Sequence, residues 1–342
     1  MKNIYIENTI RKELELWGYL EIRIPIVSEN LWGNENLLFF EKNGKLLSLR
    51  PEMTSEILRN IKKENFPIRL FYMGPIFRLN GYSIEEKFQI GWELIYLPSL
   101  WRDLEILLTI RNIFAKIGIE NYIIEINNTN IWNFLRKYIK EEELKNLKSL
   151  LLIKDYVSLM EYVEKLPISV NVLDDIRKLL FFEDNYSFYD DDLNEEVKSI
   201  KSFKRELVNL GYSPESILIN PVFIRPFEYY DGLIFEVYLE DMKQALGGGG
   251  SYVATNKNGE KIFGTGFAFV EEDLLKNINN NNNQKINKKY YICSEKDFYK
   301  IQKLIEEERK RGNIAIFIPN EMEGLDLKEL EKDGEVILIE NL

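Results

Sequence analysis

The chain reads as an α+β protein with a helical insertion and a small C-terminal α/β unit. Three observations predict this. Strand-like apolar runs recur on both sides of a block, residues 130–210, that is rich in Leu, Lys and Glu at helical spacing. Asn43-Gly44, the strongest short-range hairpin signal, sits between apolar runs in Leu37 to Leu49. The tail from Lys289 to Leu342 alternates strand and helix patterns in the order β-α-β-α-β.

The elements follow in order. Ile6, Ile10, Leu14 and Leu16-Trp17 fall near helical spacing and predict an amphipathic N-terminal helix, which Gly18 ends. Tyr19 to Pro25 reads as extended. Pro51 to Lys62 predicts a helix with Pro in its first turn. Ile68 to Met73 and Phe88 to Tyr96 read as strands, and Asp103 to Ile117 as an amphipathic helix. Within the helical block, Glu183-Asp184 and Asp190 to Asp192 read as a solvated acidic loop. Strands return at Ile217 to Ile219, Leu233 to Leu239 and Ile262 to Ala268. The expected divisions are a main domain over 1–276, an insertion over about 130–210, an Asn-rich linker over 277–288, and a C-terminal unit over 289–342.

Composition excludes several chemistries. The 342 residues include no histidine and one cysteine. Histidine-based acid–base relays, catalytic triads and zinc sites with a histidine ligand are therefore gone. Cys293 alone makes no intrachain disulfide and no Cys-rich metal site, so the fold needs no oxidising compartment. With 45 Lys+Arg against 56 Asp+Glu, the net charge is −11, a poor general match to a phosphate backbone. No apolar run approaches the roughly 18 residues of a membrane span. The first residues enter a polar helix pattern rather than a signal peptide. We expect a cytoplasmic protein with no cofactor and no metal.

Three stretches carry chemistry. In Leu49-Arg50-Pro51-Glu52-Met53-Thr54 a carboxylate and a hydroxyl open a helix after a strand; taken alone, this is a helix cap. In Tyr72-Met73-Gly74-Pro75-Ile76-Phe77-Arg78 and Phe88-Gln89-Ile90-Gly91-Trp92-Glu93, residues Gln89, Gly91 and Glu93 share one strand face. That face is a polar floor suited to an ammonium or another hydrogen-bonding ligand, or else an exposed strand face. The third is Arg225-Pro226-Phe227-Glu228-Tyr229-Tyr230-Asp231-Gly232 followed by Leu246-Gly247-Gly248-Gly249-Gly250-Ser251-Tyr252. Adjacent tyrosines would put one ring on each face of a strand. The glycines allow close approach to a ligand, or form a mobile turn. No Lys-Ser or Lys-Thr follows them, so this is not a Walker A loop.

Taken together and in this order, over roughly residues 1 to 275, these stretches resemble the catalytic domain of histidyl-tRNA synthetase, a class II aminoacyl-tRNA synthetase. The resemblance implies the class II antiparallel sheet flanked by helices. It also implies a histidine-holding pocket made of Glu52, Thr54, Arg78, Gln89, Glu93, Arg225, Tyr229, Tyr230 and Tyr252. Carboxylates and Gln suit the ammonium and imidazole N–H groups, Arg225 suits a carboxylate, and tyrosines wall a ring.

Departures from the synthetase are specific. The motif 3 arginine that grips ATP is Asp273 here, which would repel a triphosphate. The F-R-x-E of motif 2 is Phe77-Arg78-Leu79-Asn80, and its loop holds Glu85 and Glu86. The G-G-R-Y-D signature is Gly249-Gly250-Ser251-Tyr252-Val253. The tail is too short for a full anticodon-binding domain. With these losses the chain is similar to the regulatory subunits of ATP phosphoribosyltransferase, a synthetase paralogue family. That likeness implies a non-catalytic activator of the short-form catalytic subunit that mediates histidine feedback in the first step of histidine biosynthesis. It also implies a hetero-octamer, a homodimer of this chain paired near Ile22 to Leu31, histidine as effector, and no tRNA. The alternatives are a divergent synthetase that still uses ATP, and an interaction module whose pocket residues survive only as core.

Overall fold

The structure, a computed structural model, describes residues 2–28, 38–62, 64, 66–80, 83–183, 185–225, 229–240, 242, 244–277, 288–294, 297–311, 313–322 and 325–339. The chain divides into two compact units, Met1–Ile278 and Asn279–Leu342. The stretch expected to be a linker falls almost wholly outside the described residues, as does the end of the expected pairing segment beyond Ser28.

The first unit opens with helix α1 (Lys2–Leu16) and the short strands β1 (Leu20–Glu21) and β2 (Val27–Ser28). Strands β3 (Leu38–Lys42) and β4 (Lys45–Leu49) form the hairpin that Asn43-Gly44 predicts. Both turn residues take positive φ, 55° and 76°, as a two-residue turn matched to the strand twist requires. Helix α2 (Thr54–Asn60) follows, shorter than the predicted span. Then come β5 (Ile68–Asn80) and β6 (Ser83–Ile95), one long hairpin rather than the two shorter strands the apolar runs suggest. Polar residues between the runs hid its outer half, where Arg78 pairs in register with Glu85.

Helix α3 (Ser99–Ile117), β7 (Tyr122–Asn128), β8 (Ile217–Ile219), β9 (Tyr230–Leu239), β10 (Gly247–Thr255) and β11 (Lys261–Val270) complete an eight-stranded sheet. Its order is β1-β5-β6-β11-β10-β9-β7-β8. Every pairing from β5 across to β7 is antiparallel, and only the two edge pairs are parallel. One face is apolar. Ile90, Trp92 and Leu94 of β6, Phe267 of β11 and Phe235 of β9 pack with Leu14 of α1 and Ile110 and Phe114 of α3. The other face, open in the middle, carries the site.

Between β7 and β8 lie a 3₁₀ segment (Thr129–Lys137) and helices α4 (Glu141–Leu152), α5 (Tyr156–Val163), α6 (Val170–Leu180) and α7 (Asp191–Asn209). They have their own core, centred on Trp132, Leu147, Leu159 and Ile176. One expectation fails here: Asp190 is not part of a solvated loop. It is 3% exposed, caps α7 through the Leu193 N–H at 3.1 Å, and accepts from Lys137 and the Tyr138 hydroxyl. Charge runs hide such a cap, because sequence does not say which acid in a cluster turns inward.

Helix α8 (Glu271–Asn277) closes the unit. The second unit contains β12 (Lys288–Cys293), α9 (Phe298–Lys310), β13 (Ile314–Pro319), α10 (Leu327–Asp333) and β14 (Glu335–Leu338). Its sheet is parallel in the order β13-β12-β14, around Tyr291, Cys293, Ile301 and Ile305. No helix among the described residues is long and apolar enough to cross a membrane.

Candidate functional site

A cleft of about 270 Å³ lies on the open face of the sheet. Its floor is the four neighbouring strands β6, β11, β10 and β9. In register, Glu93 of β6 stands beside Gly266 of β11, which stands beside Gly250 of β10. The next row runs Gly91, Ala268, Gly248, Glu236. Bare backbone in the middle of a sheet makes room for side chains to lie flat. The Glu93 carboxylate lies over Gly266, where a Cβ would stand 1.9 Å from Oε2. Gly247 to Gly250 are thus an interior strand and not a mobile turn.

All nine residues that the sequence singles out line this one cleft. Glu52 and Thr54 come from the β4–α2 junction. Arg50, buried just before them, donates to the Pro75 carbonyl at 2.8 Å, to Pro25 at 3.2 Å and to Ile24, which fixes the junction against β5. Glu52 serves both readings at once. Its Oε1 accepts from the Ser55 N–H at 2.9 Å as a helix cap, and its side chain lines the cleft. Burial raises its carboxyl above the usual range. Thr54 donates to Glu93 Oε1 at 2.8 Å. Arg78 stands on β5 and donates to the Pro51 carbonyl at 3.2 Å.

Glu93 is 1% exposed, and burial pushes its carboxyl up to about 8, against the hydrogen bond from Thr54. The Tyr252 hydroxyl lies against the Glu93 carboxylate and helps to hold its charged form, while the buried Gln89 Oε1 and Arg225 Nε have no hydrogen-bond partner. Buried polar atoms are nearly always paired, so two such orphans in one cleft mark a place shaped for a polar ligand. One is an acceptor and the other a donor. That set fits a small molecule carrying both N–H groups and an anionic group.

The tyrosine pair departs from expectation. Tyr229 precedes β9 and Tyr230 begins it, so strand alternation does not separate them. Both rings line the cleft, with centroids 4.8 Å apart, and Tyr229 meets Tyr252 edge-on at 6.1 Å. Pro226 to Glu228 lie outside the described residues. Asp273, at the foot of α8, lines the cleft and pairs with Lys276 at 2.9 Å. Lys87 and Glu236 also line it and were not singled out in the sequence. Glu236 sits in an apolar strand pattern, and its signal is its spacing of six from Tyr230, which puts it on the same strand face.

Ser251 sits where the family signature has an arginine, but it does not face the cleft. It points to the core side, where its Oγ donates to Asp103 Oδ1 at 2.6 Å. Arg102, next to Asp103 on α3, donates to Thr265 Oγ1 at 2.6 Å and to Ser251 Oγ at 3.3 Å. Ser251 thus takes part in holding the sheet to α3 and not in lining the cleft.

An antiparallel sheet with α1 and α3 on one face and this cleft on the other is the class II aminoacyl-tRNA synthetase-like fold. Residues 5–274 match the family model described as histidyl-tRNA synthetase, and the chain belongs to that family. Across 97% of its length it is 25% identical to an ATP phosphoribosyltransferase regulatory subunit of Clostridium botulinum, spanning 84% of that protein. A histidine–tRNA ligase of Saccharolobus islandicus is 32% identical over 72% of this chain, which spans 65% of that ligase. Among solved structures, an ATP phosphoribosyltransferase regulatory subunit/histidyl-tRNA synthetase from Bacillus halodurans superposes with a TM-score of 0.80 at 21% identity, covering 98% of this chain and 93% of that one. An ATP phosphoribosyl transferase (HisG:HisZ) complex from Thermotoga maritima gives 0.61 at 21% identity, covering 79% of this chain and 96% of that one.

Proposed function

We propose that this chain is the non-catalytic regulatory subunit of ATP phosphoribosyltransferase. It binds histidine in the cleft, activates a short-form catalytic subunit, and transmits histidine feedback to it. The observation that carries this is the split character of the cleft. All nine residues of the amino-acid pocket converge in it, while the position that grips ATP in the synthetase holds Asp273. Near-complete coverage of a regulatory subunit supports the same reading. The working assembly is a hetero-octamer in which this chain contributes homodimers, the protein resides in the cytoplasm, and tRNA is not a partner.

Co-expression with a short-form catalytic subunit tests it. A stable complex that makes phosphoribosyl-ATP, and is inhibited by histidine, is the expected result. No complex and no activation sinks the proposal. A divergent synthetase is the second reading, favoured by the identity to the ligases. It requires histidine-dependent ATP–pyrophosphate exchange, and we expect none from the purified chain.

A further inference from the structure

The stretch that brings Arg225, Tyr229 and Tyr230 to the cleft is anchored at both ends by the root of the helical insertion. Asn220 follows β8 and opens a turn: the Phe223 N–H donates to its carbonyl at 3.1 Å, and the Val222 N–H to its side-chain oxygen at 3.3 Å. Asn127, near the end of β7, is fully buried and donates twice to this turn, to the Pro221 carbonyl at 3.0 Å and to the Phe223 carbonyl at 2.7 Å. Trp132 of the 3₁₀ segment donates to the Pro221 carbonyl as well, at 2.7 Å. Val222 and Ile224 pack against the core of the insertion, while Arg225, the next residue, lines the cleft. At the far end the Gly232 N–H donates to Thr129 Oγ1 at 2.9 Å, two residues after Tyr230. The oxygen of the Asn127 amide is buried without a partner. Such an atom is costly, so an apolar side chain would serve this position better unless the two donors are needed.

We propose that Asn127 is a positioning residue: by holding the Pro221 and Phe223 carbonyls it sets where Arg225 enters the cleft, and it ties the ligand site to the placement of the helical insertion. Both carbonyls lie within four residues of Arg225, so freeing them gives the guanidinium room to wander. Val222 and Ile224 keep the turn against the insertion but do not fix its register, because apolar contacts are not directional. Thr129 does for the tyrosine end what Asn127 does for the arginine end, so the two ends can be loosened separately. The coupling runs both ways. A shift of the insertion helices moves Arg225, and a ligand carboxylate that draws on Arg225 pulls on the insertion through the same bonds.

The ligand half of the test rests on the cleft being an amino-acid site; the exchange half does not. The full chain, as wild type, Asn127→Ala, Trp132→Phe and Thr129→Val, is titrated by calorimetry with histidine and with histidinol (the alcohol that lacks the carboxylate), and amide hydrogen exchange is followed without ligand. Asn127→Ala should weaken histidine about tenfold, the scale of one charge-assisted hydrogen bond, and leave histidinol within about twofold. Trp132→Phe keeps the ring and removes one donor; it should shift histidine the same way by about threefold, and it stands in if Asn127→Ala does not fold. Thr129→Val should weaken both ligands equally, because it loosens the tyrosine end. Equal weakening of both ligands in Asn127→Ala and Trp132→Phe would mark general damage to the fold and overturn the proposal, as would unchanged histidine affinity in both. If neither ligand binds wild type, the histidine reading has failed by itself and exchange decides. The Val222 and Phe223 amides should then exchange about tenfold faster in Asn127→Ala and detectably faster in Trp132→Phe, with those of α6 unchanged. No change at Val222 and Phe223 in either variant overturns the role of Asn127.

Discussion

Glu93 shows how burial sets the charge of a single side chain. Its carboxyl is buried, bonded on one oxygen by Thr54 with the Tyr252 hydroxyl beside it, and it titrates at about 8. At pH 7 the empty cleft therefore holds it mostly neutral. A cationic ligand group favours the carboxylate, so binding drives the proton off. Histidine binding at pH 7 should release close to one proton, read from titrations in buffers of different ionisation enthalpy. Affinity should rise between pH 6 and 8, and Glu93→Gln should abolish both effects and weaken binding tenfold or more. Arg225→Ala should weaken histidine as well, through the carboxylate. Proton release that persists in Glu93→Gln would assign it to another group. The identity and spacing of Gln89, Gly91 and Glu93 were legible in sequence, because a strand repeats every two residues. The protonation state was not, because it depends on burial, and burial depends on strands contributed from far along the chain.

At the scale of elements, the site depends on what the strands leave out. Gly266→Ala puts a Cβ 1.9 Å from Glu93 Oε2 and 2.5 Å from its Cδ, so the carboxylate must move. We expect histidine binding to be lost and unfolding free energy to drop by about 1–3 kcal/mol, measured by calorimetric and denaturant titration respectively. Retained affinity would show that Glu93 does not touch the ligand. A second lock holds the floor to its support. Asp103 of α3 accepts from Ser251 of β10 and from Thr265 of β11, with Arg102 beside it at 3.7 Å. Asp103→Ala leaves that arginine buried without its neighbouring carboxylate and should cost about 3–5 kcal/mol in denaturant unfolding. A loss below 1 kcal/mol would mean that the network is not what fastens the sheet to α3. Sequence revealed α3 and β6 because their periodicity is strong. It did not reveal that the glycine run is an interior strand, since glycines read as turns until the side chains that lie on them are known. Nor did it show that Ser251 and Tyr252 point to opposite faces of the sheet, so that only the tyrosine of this pair lines the cleft.

For the molecule as a whole, the absence of histidine has a thermodynamic consequence. No imidazole titrates near neutrality, so apart from the α-amino group the pH response there falls to buried carboxyls. Glu93 titrates at about 8, and Glu271, pushed up by burial and by the neighbouring Glu7 and Glu272, at about 7. Unfolded, both would return to about 4.5. Between that value and their folded values the native chain holds protons that the unfolded chain has lost. Stability must therefore fall as pH rises, by up to about 1.4 kcal/mol per pH unit for each group, with the Glu271 share spent by about pH 7 and the Glu93 share by about pH 8. Lowered carboxyls such as Glu13, Asp190 and Glu308 work in the opposite sense and on the acid side, where they protonate. Denaturant unfolding between pH 5 and 9 should show the decline, with Glu271→Gln and Glu93→Gln each flattening its own part. Saturating histidine separates the two, because a ligand that takes Glu93 as a carboxylate strips out its proton beforehand. The decline between pH 7 and 8 should then nearly vanish, while the part below pH 7 that belongs to Glu271 stays. A curve that histidine shifts upward without changing its shape would mean that the effector does not meet Glu93 at all.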